Sequence, residues 1–133
     1  MLHKFPKKER LSGKKAIGEL FKKGANSFVH PYKVIILKHN DLIDNPLRLL
    51  ISVPKRNFKR AVDRNRIKRL TKEAWRMHKS VFINSIQPPT KAFDIALIYT
   101  PKTILSLKEI EPKIILILQR LTKENEVHNP TSC

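Results

Sequence analysis

The sequence predicts an α+β protein, a two-layer sandwich of helices on a small sheet in the order α-β-β-α-β-α. Three observations carry that prediction. Apolar residues recur at helical spacing in three separate stretches. Between them lie short runs rich in β-branched and aromatic residues, bounded by turn-forming clusters. The central helical stretch, Lys55 to Arg76 (KRNFKRAVDRNRIKRLTKEAWR), holds ten Lys or Arg in twenty-two residues, opposed only by Asp63 and Glu73.

Arg10-Leu11 leads into the first helix, with Ser12 as its N-cap, Ala16, Ile17, Leu20 and Phe21 at helical spacing, and Gly24 as its C-terminal stop. Phe28 to Lys38 (FVHPYKVIILK) reads as one strand, with Pro31 tolerated near its start or on an edge. Asn40 to Pro46 is a turn cluster and Leu47 to Val53 returns as a second strand, so the two form an antiparallel hairpin. Pro54 ends that strand. The basic helix then runs from about Asn57 to about Val81, and Gln87-Pro88-Pro89-Thr90 marks a loop. Phe93 to Tyr99 (FDIALIY) is the third strand.

Ser106 and Glu109 have the form of a capping box opening the last helix, with Ile110, Ile114, Leu118 and Leu121 on one face. Pro112 offers a second starting point for the regular helix, since Pro suits a first helical position. How the strands cross over is left open by the pattern.

The basic helix sorts its residues by geometry. At about 100° per residue, Ile67, Leu70, Ala74, Met77 and Val81 fall within roughly 80° of arc and form the core side. Arg60, Arg64, Lys68, Lys72 and Arg76 follow one another at intervals of four on the other half, a row of about 24 Å, with Asn65 and Arg69 beside them. Arg66 falls nearer the flank of the apolar arc, its stem on the core and its guanidinium reaching out. Trp75 lies on the basic half, where packing at the core edge is the expected role. Arg presents a fork matched to phosphate oxygens and Lys a point charge, so this half suits nucleic-acid phosphates. A merely solvated helix face would carry more acidic partners, and a membrane-surface helix a broader apolar arc.

Composition points the same way. A chain of 133 residues is one domain by size, and a net charge of +17 with a pI near 10.4 implies a polyanionic partner. Residues 1–133 thus read as a single domain that binds RNA or DNA, with 1–10 a basic arm that orders on binding and 125–133 a frayed tail. The one cysteine, Cys133, excludes a disulfide framework, and neither a leader peptide nor an apolar run of membrane-spanning length is present, so a reducing cytoplasm is expected. His3, His30, His39, His78 and His128 show no metal-ligand spacing, three glycines do not make a nucleotide cradle, and Asp41 and Asp44 sit in a turn cluster. No catalytic residue and no metal site is expected in the polypeptide itself.

The run from Val53 to Leu70, VPKRNFKRAVDRNRIKRL, with Arg-Asn-Arg at 64 to 66, resembles the signature of the bacterial ribonuclease P protein component. Phe5, Arg10-Leu11, Phe21 and Gly24 match as well, so the resemblance covers most of the chain. It implies a fold like domain 2 of ribosomal protein S5, with a left-handed βαβ crossover around the basic helix. It also implies membership of a ribonucleoprotein endoribonuclease, a hydrolase that removes the 5′ leader of precursor tRNA, whose RNA subunit holds the catalytic Mg2+. Arg60, Arg64, Asn65, Arg66, Lys68 and Arg69 would face that RNA. Phe21, Tyr32, Lys55 and Arg56 would line the leader's path, together with Ile17, which stands where relatives often have a second aromatic. Phe58 replaces a frequent Gly, implying a tighter loop before the helix. For Phe21 a core role fits its spacing as well as a leader contact does. The partners so implied are the catalytic RNA and precursor tRNA, with no membrane and no DNA. A ribosomal or other structural RNA-binding protein is the competing class, and a DNA-binding module lacks the base-reading polar residues it needs.

Overall fold

The elements follow in the order α1 (Lys14–Lys23), β1 (Ala25–Val29), β2 (Tyr32–His39), β3 (Leu47–Ser52), α2 (Ala61–Ser85), β4 (Ala92–Tyr99) and α3 (Leu107–Val127). The structure, a computed structural model, describes residues 11, 13–39, 47–85 and 92–127, with the backbone alone at 81–85 and 122–127. The basic arm, Ser12, the Asn40 to Pro46 cluster with Asp41 and Asp44, the Gln87 to Thr90 loop and the chain end from residue 128 lie outside these.

The α+β class holds, with one strand more than expected. FVHPYKVIILK is not a single strand, because the chain turns at His30-Pro31, whose peptide bond is cis, and folds back as β1 and β2. Pro31 has no N–H to give to a ladder, and its carbonyl instead accepts from the Thr100 N–H at 3.0 Å and the Thr100 hydroxyl at 2.9 Å. The expected hairpin between the strands at Phe28 to Lys38 and Leu47 to Val53 is also corrected. The sheet order is β1-β2-β4-β3, with β4 antiparallel to β2 (Tyr32↔Tyr99) and parallel to β3 (Leu47↔Phe93). Phe93 to Tyr99 is apolar on both faces apart from Asp94, which suits a central strand, and the β3-α2-β4 crossover delivers it there.

Alternation along the strands divides the apolar residues between the two faces. Val34, Leu49, Ile95 and Leu97 point to the main core, closed by Ile67, Ala74 and Trp75 of α2 and Ile110, Ile114, Ile117 and Leu121 of α3. Ile35 and Ala96 point the other way, where Leu20 of α1 and Leu11 cover part of the sheet. Tyr32 ties sheet to helix through a buried 2.6 Å hydrogen bond between its hydroxyl and that of Thr71.

Local signals explain most element ends. The capping box is formed: Ser106 N–H donates to Glu109 Oε1 at 3.0 Å and Glu109 N–H to Ser106 Oγ at 3.2 Å, so α3 begins before Pro112. Donation to Glu109 Oε1 from the Ser106 N–H, and from the Ser106 hydroxyl at 3.1 Å, holds the Glu109 carboxyl below its usual value. Gly13, at φ 96°, occupies the N-cap of α1. Gly24 is required by proximity and not by its backbone angle, since a Cβ there would lie 2.5 Å from the Leu20 carbonyl oxygen and 2.6 Å from Ile35 Cγ2. No described helix is long and apolar enough to cross a membrane.

Candidate nucleic-acid interface

α2 begins at Ala61, four residues later than its sequence pattern suggests, because the preceding segment folds into a loop of its own. The Asn57 and Phe58 N–H groups reach back to the Pro54 carbonyl at 3.2 and 3.3 Å. The Phe58 side chain is buried and its ring lies 6.0 Å from that of Tyr99, an apolar anchor that a glycine could not supply. Arg64, one turn into α2, donates from Nη1 to the carbonyls of Phe58 at 2.8 Å and Lys59 at 3.0 Å. The loop is thereby held from both sides, and Lys55, Arg56, Lys59 and Arg60 project from it into solvent.

The row expected to share one solvent face is therefore divided. Residues four apart advance by about 40° per step, so the row winds around the helix from Arg64, turned back onto the loop, to Lys68, Lys72 and Arg76, which are half-buried. Arg76 is bound to Glu73 through Nε and Oε1 at 3.3 Å, and Arg60 faces Asp63 at 4.0 Å. Within α2, Asn65, Arg66 and Arg69 are the exposed polar residues of this stretch. Arg66 is thus not on a core flank. Because α2 is covered by both the sheet and α3, its buried arc extends past Ile67 and Ala74 to Thr71 and Trp75, and Trp75 sits in the core at 1% exposure. Loop and helix together present Lys55, Arg56, Lys59, Arg60, Arg66 and Arg69 on consecutive turns of chain, and the helix N-terminus adds its own positive potential.

The second expected surface, beside α1, changes in one residue. Tyr32 is fully buried, its ring edge-on to Tyr99 at 5.9 Å, and burial pushes its hydroxyl well above the usual phenol range. It cannot present a ring to a base. The cause is the two-residue period: Tyr32 pairs with Val29 and Tyr99, all facing the α2 side, while its neighbour Lys33 faces the α1 side. Phe21 is 44% exposed, so it is not a core residue, and Ile17 is half-buried against the α1 patch. Lys55 and Arg56 are exposed where β3 ends.

The strands bring to this face only one acidic residue, Asp94, and it is 1% exposed and fully engaged. Arg48 grips it from Nε to Oδ1 and from Nη2 to Oδ2, both at 2.8 Å, and His39 Nε2 lies 2.8 Å from Oδ2. Among the described residues no three His, Cys, Asp or Glu side chains converge as a metal site.

A small sheet backed by two helices, with a cationic loop running into a cationic helix, has the charge and shape that suit a polyanion. Residues 5–122 match the sequence model of the family Ribonuclease P, and the chain belongs to that family. It is 36% identical over 81 residues to the ribonuclease P protein component of Porphyromonas gingivalis (strain ATCC 33277), which covers 61% of this chain and 59% of that protein. The chain thus spans about three-fifths of that relative. Against the component from Thermotoga petrophila it is 29% identical over 126 residues, covering 91% and 98%. Among solved structures, the RNase P protein of Thermotoga maritima superposes with a TM-score of 0.65 at 26% identity, covering 84% of this chain and 96% of that one. A Staphylococcus aureus RNase P protein mutant with defective mRNA degradation activity gives 0.67 at 27% identity, covering 86% and 89%.

Proposed function

We propose that the chain is the protein subunit of a ribonuclease P, binding the catalytic RNA and the 5′ leader of precursor tRNA and so assisting leader removal in the cytoplasm. The observation that supports this best is the exposed cationic loop and helix that carry the family's Arg-Asn-Arg run. Arg60, Asn65, Arg66, Lys68 and Arg69 face the catalytic RNA in this reading, binding its phosphates through bidentate and point-charge contacts. Arg64 serves the same surface by holding the loop. Lys55 and Arg56, with Phe21 and Ile17 on α1, receive the leader. Mg2+ bound by the RNA supplies the hydrolytic chemistry, and the polypeptide contributes binding and orientation only.

Incubating RNA-free protein with precursor tRNA and Mg2+ tests this reading. No 5′-leader removal is expected until the catalytic RNA is added. Leader removal by protein freed of all RNA would overturn it, and copurification with ribosomal subunits in place of one discrete RNA would favour the structural RNA-binding class.

A further inference from the structure

Phe28, at 55% exposure, is the more exposed of the two phenylalanines that face solvent among the described residues, and it belongs to neither apolar cluster of the core. Its partner in register is Lys33, which pairs in turn with Ile98, and Ile98 with Ser52. All four side chains point to the α1 side, so they form one row crossing the whole sheet. At about 4.8 Å per inter-strand step the row is about 14 Å long, and the chain beyond Ser52 leads directly to Lys55 and Arg56. Apolar area at one end, an exposed cation beside it and more cations at the other end suit a single-stranded nucleic acid, whose bases stack while its phosphates are neutralised. The one strand carboxylate on this face is already neutralised by Arg48.

Resting on the leader reading above, we infer that the leader's path extends across β2 to the edge strand β1, where Phe28 is a stacking platform for one further base and Lys33 meets the adjoining phosphate. The His30 ring, 6.1 Å from that of Phe28 and tilted by 58°, borders the platform on the turn side. A ring in this place adds affinity for longer leaders with little preference among bases, because every base has a stacking face.

The test uses protein assembled with its catalytic RNA and a series of precursor tRNAs whose leaders lengthen one nucleotide at a time. Affinity should rise in steps with leader length for the parent protein. Phe28→Ala and Phe28→Ile should match the parent on mature tRNA and short leaders. Beyond one leader length they should lose about 5- to 140-fold, the 1–3 kcal/mol of one stacked base at 1.4 kcal/mol per tenfold. Phe28→Tyr should retain the gain. Phe28→Ile keeps strand propensity and apolar area without a ring, so its loss cannot be put down to misfolding. If both ring-free variants follow the parent at every leader length, the inference falls and the leader reading stands. If the parent itself shows no leader preference, both fall. A concentration-dependent dimer of the parent that Phe28→Ala abolishes would assign β1 to a second copy of the chain and overturn the inference as well.

Discussion

The loop and helix on one side of the molecule and the sheet face beside α1 on the other differ in what holds their functional groups. The loop from Pro54 to Arg60 is built around cations: four point outward while Phe58 and Arg64 fix the backbone from behind. The sheet face carries a row of mixed side chains in which Lys33 is the one cation, between the exposed ring of Phe28 and the partly buried Ile98 and Ser52. A folded RNA presents a fixed array of phosphates, which rewards charge held in place. A single strand presents bases and a mobile backbone, which reward flat apolar area with a few cations. One small fold can serve both because the surfaces lie on opposite sides of the sheet and meet only at Lys55 and Arg56.

Salt should separate the surfaces most sharply. If six to ten phosphates are contacted, affinity for the catalytic RNA should fall about 10³- to 10⁵-fold between 50 and 200 mM salt, by analogy with duplex binding. The ratio of precursor to mature tRNA affinity should change far less, because stacking releases no counterions and only Lys33, Lys55 and Arg56 meet leader phosphates in this reading. Equal salt slopes for the two measurements would erase the distinction.

Next in size is Tyr32→Ala, which removes a buried ring and leaves the Thr71 hydroxyl without its partner. A loss of about 3–5 kcal/mol of folding stability is expected in denaturant titration. Any variant that remains folded should bind precursor and mature tRNA in unchanged proportion, and a selective loss of precursor would return Tyr32 to the leader path. Tyr32 and Tyr99 also govern alkaline behaviour. Burial raises both hydroxyl pKa values, so their contribution is fully present below the ordinary phenol value near 10 and is lost as pH rises above it. Tyr32→Phe should flatten that decline in a pH series of unfolding curves.

The smaller effects divide the cationic surface itself. Arg64→Ala breaks two charge-assisted bonds to backbone carbonyls, and about 1–2 kcal/mol of stability should go with them, together with faster amide exchange at residues 55–60. Arg66→Ala removes a solvated side chain, and stability should move by no more than about 0.5 kcal/mol. Its mark should appear instead in RNA binding, as a salt slope reduced by about one. If both variants leave stability untouched, the loop is not held by Arg64.

Signals that act within a turn or two of chain were legible in the sequence. Ser106 and Glu109 cap α3 because the box needs only residues three apart. The apolar run of β4, the axis of α2 and its excess of cations are likewise readable from period and composition. What escaped were the features that depend on which segments meet. The turn at His30-Pro31 hid inside a run of good strand formers, and Tyr32 was placed on the leader path by resemblance, with no reading of which face of the sheet it takes. Phe28 and Lys33 could have been found by alternation once that turn was seen.

By itself, then, the sequence determined an α+β domain with a strongly cationic helix, since periodicity and charge are properties of the chain that survive any arrangement of its neighbours. Tertiary structure alone decided that β4 lies between β2 and β3, that α2 buries Trp75 beneath α3, and that Arg64 turns back to the loop while Arg66 faces solvent. Each of those outcomes is a choice among partners far apart in the chain. It is settled by which pairing buries the most apolar area while leaving every buried polar group a partner, a balance that no local window contains.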